Sequence, residues 1–247
     1  MRLYVNVDPV ALVRNAWAQQ TPCPIEMARL AVASGADGIG VHLRKDRRHM
    51  RDADVEALID KLGAPITMKI AASSQLVDLA VRLRPDMCCL VPDQGSEIFI
   101  KCGFDLGVLP PLLGVAVNRL NKAGIRVSLL VEANVQQVTA AALLGVGGVI
   151  LYAGRYTRAN PGRERDALLA EIRSAAGTAK ARGLTCIVSG GLACDTVADI
   201  ARTPGVDGIS VGHSVIASSM ADGLPAAINR FRSAMSMAGS NGIASAV

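Results

Sequence analysis

Eight short apolar runs alternate with amphipathic stretches along this chain, and that alternation constrains the fold more than any other feature. The runs are Leu3–Val7, Gly38–His42, Ile66–Ala71, Met87–Val91, Arg126–Val131, Gly148–Tyr152, Thr185–Val188 and Gly208–Val211. Several are continuously apolar rather than alternating, which is the pattern of parallel strands covered on both faces. Between them, apolar positions recur at helical spacing. Ile25, Met27, Ala28, Ala31 and Val32 form one stripe that stops at Gly35, and Val55, Leu58, Ile59 and Leu62 form the next, stopping at Gly63. Further helices are expected from Leu76 to Leu83, Leu109 to Ala123, Val135 to Leu144, Arg163 to Arg182, Thr196 to Ala201 and about Asp222 to Ala238. Most stop at a glycine or just before a proline, as helix C-termini do.

Eight β-α units in 247 residues predict an α/β fold, a single (β/α)8 TIM barrel over residues 1–239, with 240–247 a flexible tail. The phrase Gly35-Ala36-Asp37-Gly38-Ile39 returns as Gly205-Val206-Asp207-Gly208-Ile209, each time ahead of a strand. A doubly wound open sheet is the competing fold. It calls for a glycine-rich turn after the first strand, where this chain has Val7-Asp8-Pro9-Val10. Apolar residues at 51% exclude a disordered chain, and aromatics at 3% speak against an immunoglobulin-like sandwich.

Charge and cysteines exclude further classes. Twenty-six basic against 21 acidic side chains give +5, but the basic residues are dispersed and no aromatic platform accompanies them. The expected partner is a small phosphorylated metabolite rather than nucleic acid. No stretch of 18 apolar residues occurs, so no membrane span is expected, and a cytoplasmic location is. The six cysteines form no C-x-x-C pair and only three histidines accompany them, so neither a metal nor another cofactor is expected. Cys88 and Cys89 read as core residues facing opposite sides of one strand.

In a barrel, function collects where strands run into the following loops. Those positions carry Asn6 and Asp8, His42 and Arg44, Lys69, Asp93, Glu132, Tyr152, Ser189, and then Gly212, His213 and Ser214. Two loops suit phosphate: Ser189-Gly190-Gly191, and Gly212-His213-Ser214 at the start of a short helix. There glycines admit backbone N–H groups to an anion, and the helix adds partial positive charge. Lys69 stands in the otherwise uncharged run Ile66–Ala71. It is either an amine nucleophile forming a Schiff base with a carbonyl substrate, or a fixed cation for phosphate or a carbonyl oxygen. His42 is the candidate acid–base group, and Arg44 and His49 suit substrate oxygens.

Asn6-Val7-Asp8, the stretch from Ala36 through His42-Leu43-Arg44 to His49, Cys88-Cys89-Leu90-Val91-Pro92 and Val211-Gly212-His213 together resemble the pyridoxine 5′-phosphate synthase family. The likeness covers most of the chain. It implies a TIM barrel assembled as a homo-octamer. It also implies metal-free condensation of 3-amino-2-oxopropyl phosphate with 1-deoxy-D-xylulose 5-phosphate, closing a pyridine ring. By this resemblance Asn6 and Asp8 bind substrate, and His42 is a catalytic acid–base. Arg44 and His49 bind the deoxyxylulose phosphate, and Gly191, Gly212 and His213 grip a phosphate. The chain also departs from the pattern. Pro9 follows Asp8 where the family has His, Lys69 stands at a catalytic Glu, and Trp17 at a substrate-binding Arg. Phe99 falls near a Thr, Ile150 at a Glu, and Gly190 at a catalytic His. The expectation is therefore a divergent synthase-like enzyme condensing, cyclising or dehydrating a phosphorylated keto or aldehyde compound. Its catalytic residues are His42 and Lys69. Its substrate-binding residues are Asn6, Asp8, Arg44, His49 and Glu132, and its phosphate-binding residues Gly190, Gly191, Gly212 and His213. The alternatives are a genuine pyridoxine 5′-phosphate synthase and a non-catalytic protein that binds a phosphorylated metabolite.

Overall fold

The computed structural model describes residues 1–93, 95, 97–108 and 111–236. The expected tail at 240–247 and the last two residues of the final helix lie outside these. Strands β1 (Arg2–Asn6), β2 (Gly38–His42), β3 (Ile66–Ile70), β4 (Met87–Leu90), β5 (Arg126–Glu132), β6 (Gly148–Tyr152), β7 (Thr185–Ser189) and β8 (Gly208–Val211) pair in order. β8 returns to β1, with Val211 beside Val5, and closes an all-parallel barrel.

Among the described residues eleven helices surround it: α1 (Asp8–Ala16), α2 (Pro24–Ala33), α3 (Asp52–Lys61), α4 (Ser74–Leu83), α5 (Leu113–Lys122), α6 (Val135–Leu143), α7 (Gly154–Arg158), α8 (Arg163–Ala181), α9 (Cys194–Ala201), α10 (His213–Asp222) and α11 (Leu224–Ser236). The expected helix from Leu109 begins only at Leu113, past Pro111. The short helix expected at Gly212-His213-Ser214 is the ten-residue α10, and the last expected helix is α11, which starts at Leu224 after Gly223 with φ +78°. No helix among the described residues is long and apolar enough to cross a membrane.

The repeated aspartate explains how the lower rim is tied. Asp37, just before β2, accepts the Leu3 N–H of β1 at 2.7 Å. Asp207, before β8, accepts the Cys186 N–H of β7 at 2.8 Å, and Asp86, before β4, does the same for Ile66 of β3 at 2.8 Å. Each carboxylate satisfies a strand-entry donor that would otherwise be unpaired.

Inside the barrel, Tyr4, Met87, Cys89, Val91, Leu130, Ile150, Tyr152 and Ile187 form a separate apolar cluster, while Cys88 faces the helices. Two glycines make room for its largest member. A Cβ on Gly38 would lie 2.9 Å from the Tyr4 ring, and one on Gly208 3.0 Å from it. This plug closes the barrel below and leaves a polar layer above it.

Candidate active site

The polar layer begins with Asn6. A Cβ on Gly40 would stand 1.9 Å from Asn6 Oδ1, so the glycine of β2 is what allows Asn6 to lie across the mouth. Its Oδ1 accepts from Lys69 Nζ at 3.1 Å and from Ser210 Oγ at 3.3 Å. Lys69, beside His42 in the β2–β3 register, is buried with its amine in this layer. The ammonium has three donors, and this is its one hydrogen bond among the described residues, so donors remain for a ligand.

Asp8 opens α1 and reaches back to accept the His42 N–H at 2.7 Å. Burial raises its pKa above the ordinary carboxylate value, against the pull of His49, Lys69 and the His42 N–H. Burial, aided by the nearby His49, Lys69 and Arg44, pushes His42 down to about 3. Burial also lowers His49, against the pull of Asp8. The two rings lie 5.5 Å apart between centroids. The His49 Nδ1 accepts the Met50 N–H at 2.9 Å, which puts the neutral ring's proton on Nε2. At neutral pH the mouth thus holds two neutral imidazoles beside a carboxyl group and an amine.

These groups line a cavity of about 180 Å³, which also takes in Pro9, Leu130, Tyr152, Ser189 and Ser210. Ile98, Phe99 and Ile100 of the β4–α5 loop form its apolar side. Gly190, Gly191, Gly212 and His213 border it as well. The first two have φ of +113° and +77°, a region that favours glycine, and His213 is the first residue of the ten-residue α10.

Residues 3–237 match the profile of the family described as "Pyridoxal phosphate biosynthesis protein PdxJ". The chain belongs to that family. The PdxJ relatives include the pyridoxine 5′-phosphate synthase of Rhodospirillum rubrum, 38% identical over 244 residues, covering 99% of this chain and 98% of the relative. The enzyme of the same name from Gluconobacter oxydans is 42% identical over 233 residues, covering 94% and 98%. Among solved structures, thiamine phosphate pyrophosphorylase from Pyrococcus furiosus superposes with a TM-score of 0.63 at 18% identity, covering 96% of each chain. At that identity it speaks for the barrel alone.

Of the positions expected to act in this PdxJ-family chain, Asn6, Asp8, His42, His49, Lys69, Gly190, Gly191, Gly212 and His213 converge on the one cavity. Two do not. Arg44 lines a neighbouring cavity of about 190 Å³ with Lys45, Asp46 and Asp93. Its guanidinium is held by Asp46 at 2.9 and 2.8 Å, by the Gly95 carbonyl at 2.8 Å and by the Glu97 carbonyl, so it braces the β4–α5 loop. Glu132 accepts the Gly103 N–H at 2.7 Å and lines a small cleft against α8 instead. Both are strand-end residues whose side chains are turned away by loop donors and acceptors that spacing does not reveal. Reasoning from strand ends passed over Ser210 and the Phe99 loop. It noted Tyr152 and Ser189 without giving either a role.

Proposed function

We propose that this chain is a pyridoxine 5′-phosphate synthase, joining an aminoketone phosphate to a deoxyketose phosphate in the barrel mouth. The near-complete overlap with relatives of that name favours it over the divergent enzyme expected from the substitutions at Lys69 and Gly190. One observation of the site carries the reading: a neutral His42 imidazole and an amine side chain face the same cavity as the two glycine loops. With a phosphate on those loops, the sugar carbonyl lies in the polar layer. Attack by the substrate amine forms a C–N bond and places negative charge on the carbonyl oxygen, which the Lys69 ammonium stabilises. His42 passes the two protons of the new C–N nitrogen to that oxygen in turn, the first giving a carbinolamine hydroxyl and the second making it a leaving water. Water leaves and a C=N bond remains.

A second reading has its own observation. Lys69 stands where the resemblance places a carboxylate, and Gly190 where it places a histidine. A Lys69 amine that itself attacks the ketone would make the chain a Schiff-base enzyme on a single phosphorylated carbonyl compound. Incubation with both synthase substrates, followed by fluorescence and mass detection of pyridoxine 5′-phosphate, tests the first reading. Turnover within the ordinary enzyme range, about 1–10³ s⁻¹, is expected. No product, together with a borohydride-trapped ketose phosphate adduct on Lys69 that Lys69→Arg abolishes, replaces it with the second. Binding of the ketose phosphate with neither product nor adduct leaves a non-catalytic binding protein. The first reading carries a homo-octamer with it, which light scattering of the purified protein checks.

A further inference from the structure

Tyr152 ends β6 and its ring stands in the wall of the active cavity. Two glycines leave the space it fills. A Cβ on Gly154 would lie 2.4 Å from the phenol oxygen, and one on Gly190 would lie 2.8 Å from the ring edge. The ring therefore occupies the volume through which any side chain at position 190 would have to leave the backbone. Gly190 and Tyr152 are one structural exchange: the β7 loop gives up a side chain, and β6 supplies a phenol from the neighbouring strand.

The polarity of that phenol is set by α7. Arg158 donates from one terminal nitrogen to the Tyr152 oxygen at 3.4 Å, a long contact that fills an acceptor position. The phenol proton then has no acceptor among the described residues. Arg158 has no carboxylate partner there either, whereas Arg155 on the same short helix pairs with Glu171 and Arg165 pairs with Asp195. The neighbouring Thr157 fastens α7 to the glycine loop, its Oγ1 donating to the Gly190 carbonyl at 3.0 Å. A hydroxyl donor and a guanidinium with no carboxylate partner among the described residues are thus tied to the loop where the phosphate is placed.

We propose that Tyr152 and Arg158 bind the substrate phosphate together with the two glycine loops, Tyr152 by donating a hydrogen bond and Arg158 by supplying charge. The proposal rests on the phosphate site of the preceding reading and names side chains for it. A phosphate fits better than a neutral carbonyl because the adjacent cation has no carboxylate partner among the described residues, and guanidinium matches phosphate geometry.

Titration by ³¹P NMR with two probes, 1-deoxy-D-xylulose 5-phosphate and inorganic phosphate, tests it on the wild type, Tyr152→Phe, Arg158→Gln and the double variant. Tyr152→Phe keeps the ring in its glycine cradle, and an unchanged thermal midpoint verifies the fold. Each single variant is expected to weaken both probes about tenfold, the loss of one charge-assisted hydrogen bond. The double variant should lose less than the product of the two, because the residues act as a pair. Unchanged affinity in Tyr152→Phe overturns the proposal and leaves the phosphate loops standing. So does weakening of the ketose phosphate alone, which would put the phenol on the carbonyl. Wild-type protein that binds neither probe overturns the phosphate site itself, and this proposal with it.

Discussion

His42 is kept neutral by its burial, and that has a consequence for stability as well as catalysis. In the unfolded chain an imidazole takes up a proton near 6.5, whereas in the fold His42 resists it until about 3. The unfolded state therefore binds more protons between those values, and stability must fall as pH drops through that window. His49, also shifted down, adds to the effect. Asp8 works the other way, since its raised folded-state pKa makes its contribution greatest in acid and smaller as pH rises. Urea unfolding followed from pH 7 to 4 should lose up to about 1.4 kcal/mol per pH unit through His42, and His42→Gln should flatten the curve. An equally steep curve in His42→Gln would place the titrating group elsewhere. Gly40 offers a second residue-scale test. Gly40→Ala pushes a methyl group into Asn6 Oδ1, so Asn6 must leave Lys69 and Ser210. A loss of about 1–3 kcal/mol is expected. Much of it should return in the double variant with Asn6→Ala, and simple additivity in denaturant titrations would contradict this close approach.

At the scale of elements, the His49 loop is held by an ion pair between two helices. Arg14 of α1 meets Asp54 of α3 at 2.7 and 2.9 Å, both nearly inaccessible, and also donates to the His49 carbonyl at 3.2 Å. Asn15 donates to that same carbonyl at 2.8 Å. Asp54→Asn leaves a buried cation short of its partner, and unfolding titrations should show about 3–5 kcal/mol lost. Arg14→Met with Asp54→Leu should recover most of that stability. Failure to recover it would mean that the loop contacts matter more than the charges. This pair also shows why part of the fold was hidden in the sequence. The strands were legible because their runs are apolar and bracketed by aspartates and glycines. α1 was not, because its buried face is Val10, Ala11 and Arg14, and a charge on the inner stripe erases the periodic signal. The same holds at the site. Nine of the eleven residues expected from the strand ends line one cavity, since the barrel brings all strand ends to one rim. Arg44 and Glu132 point outside that cavity because their partners, Gly95, Glu97 and Gly103, lie in a loop whose path no period encodes. The complementarity of Tyr152 and Gly190 lies between neighbouring strands and has no local signature at all.

For the whole molecule, the decisive feature is the seam. β8 pairs with β1, and the last helix, α11, packs against α2, which leads into β2. There Arg232 donates to the Gly35 carbonyl at 2.8 Å and pairs with Asp37, the same carboxylate that accepts the Leu3 N–H. Arg232→Ala should therefore loosen the N-terminal strand as well as the C-terminal helix. Hydrogen exchange should report faster exchange at Leu3 in that variant, and protection there equal to wild type would show the tie to be ornamental. The seam also has a history in time. A chain made from its N-terminus acquires β1 first and the partner of β1 last. At about 5–20 residues per second, β8 emerges on the order of 10–40 s after β1. Throughout that interval the growing sheet has two bare edges, at β1 and at whichever strand was made last, each a template for another chain. Nascent chains halted after α9 should thus stay open to protease and bound to chaperones, and those carried through α11 should not.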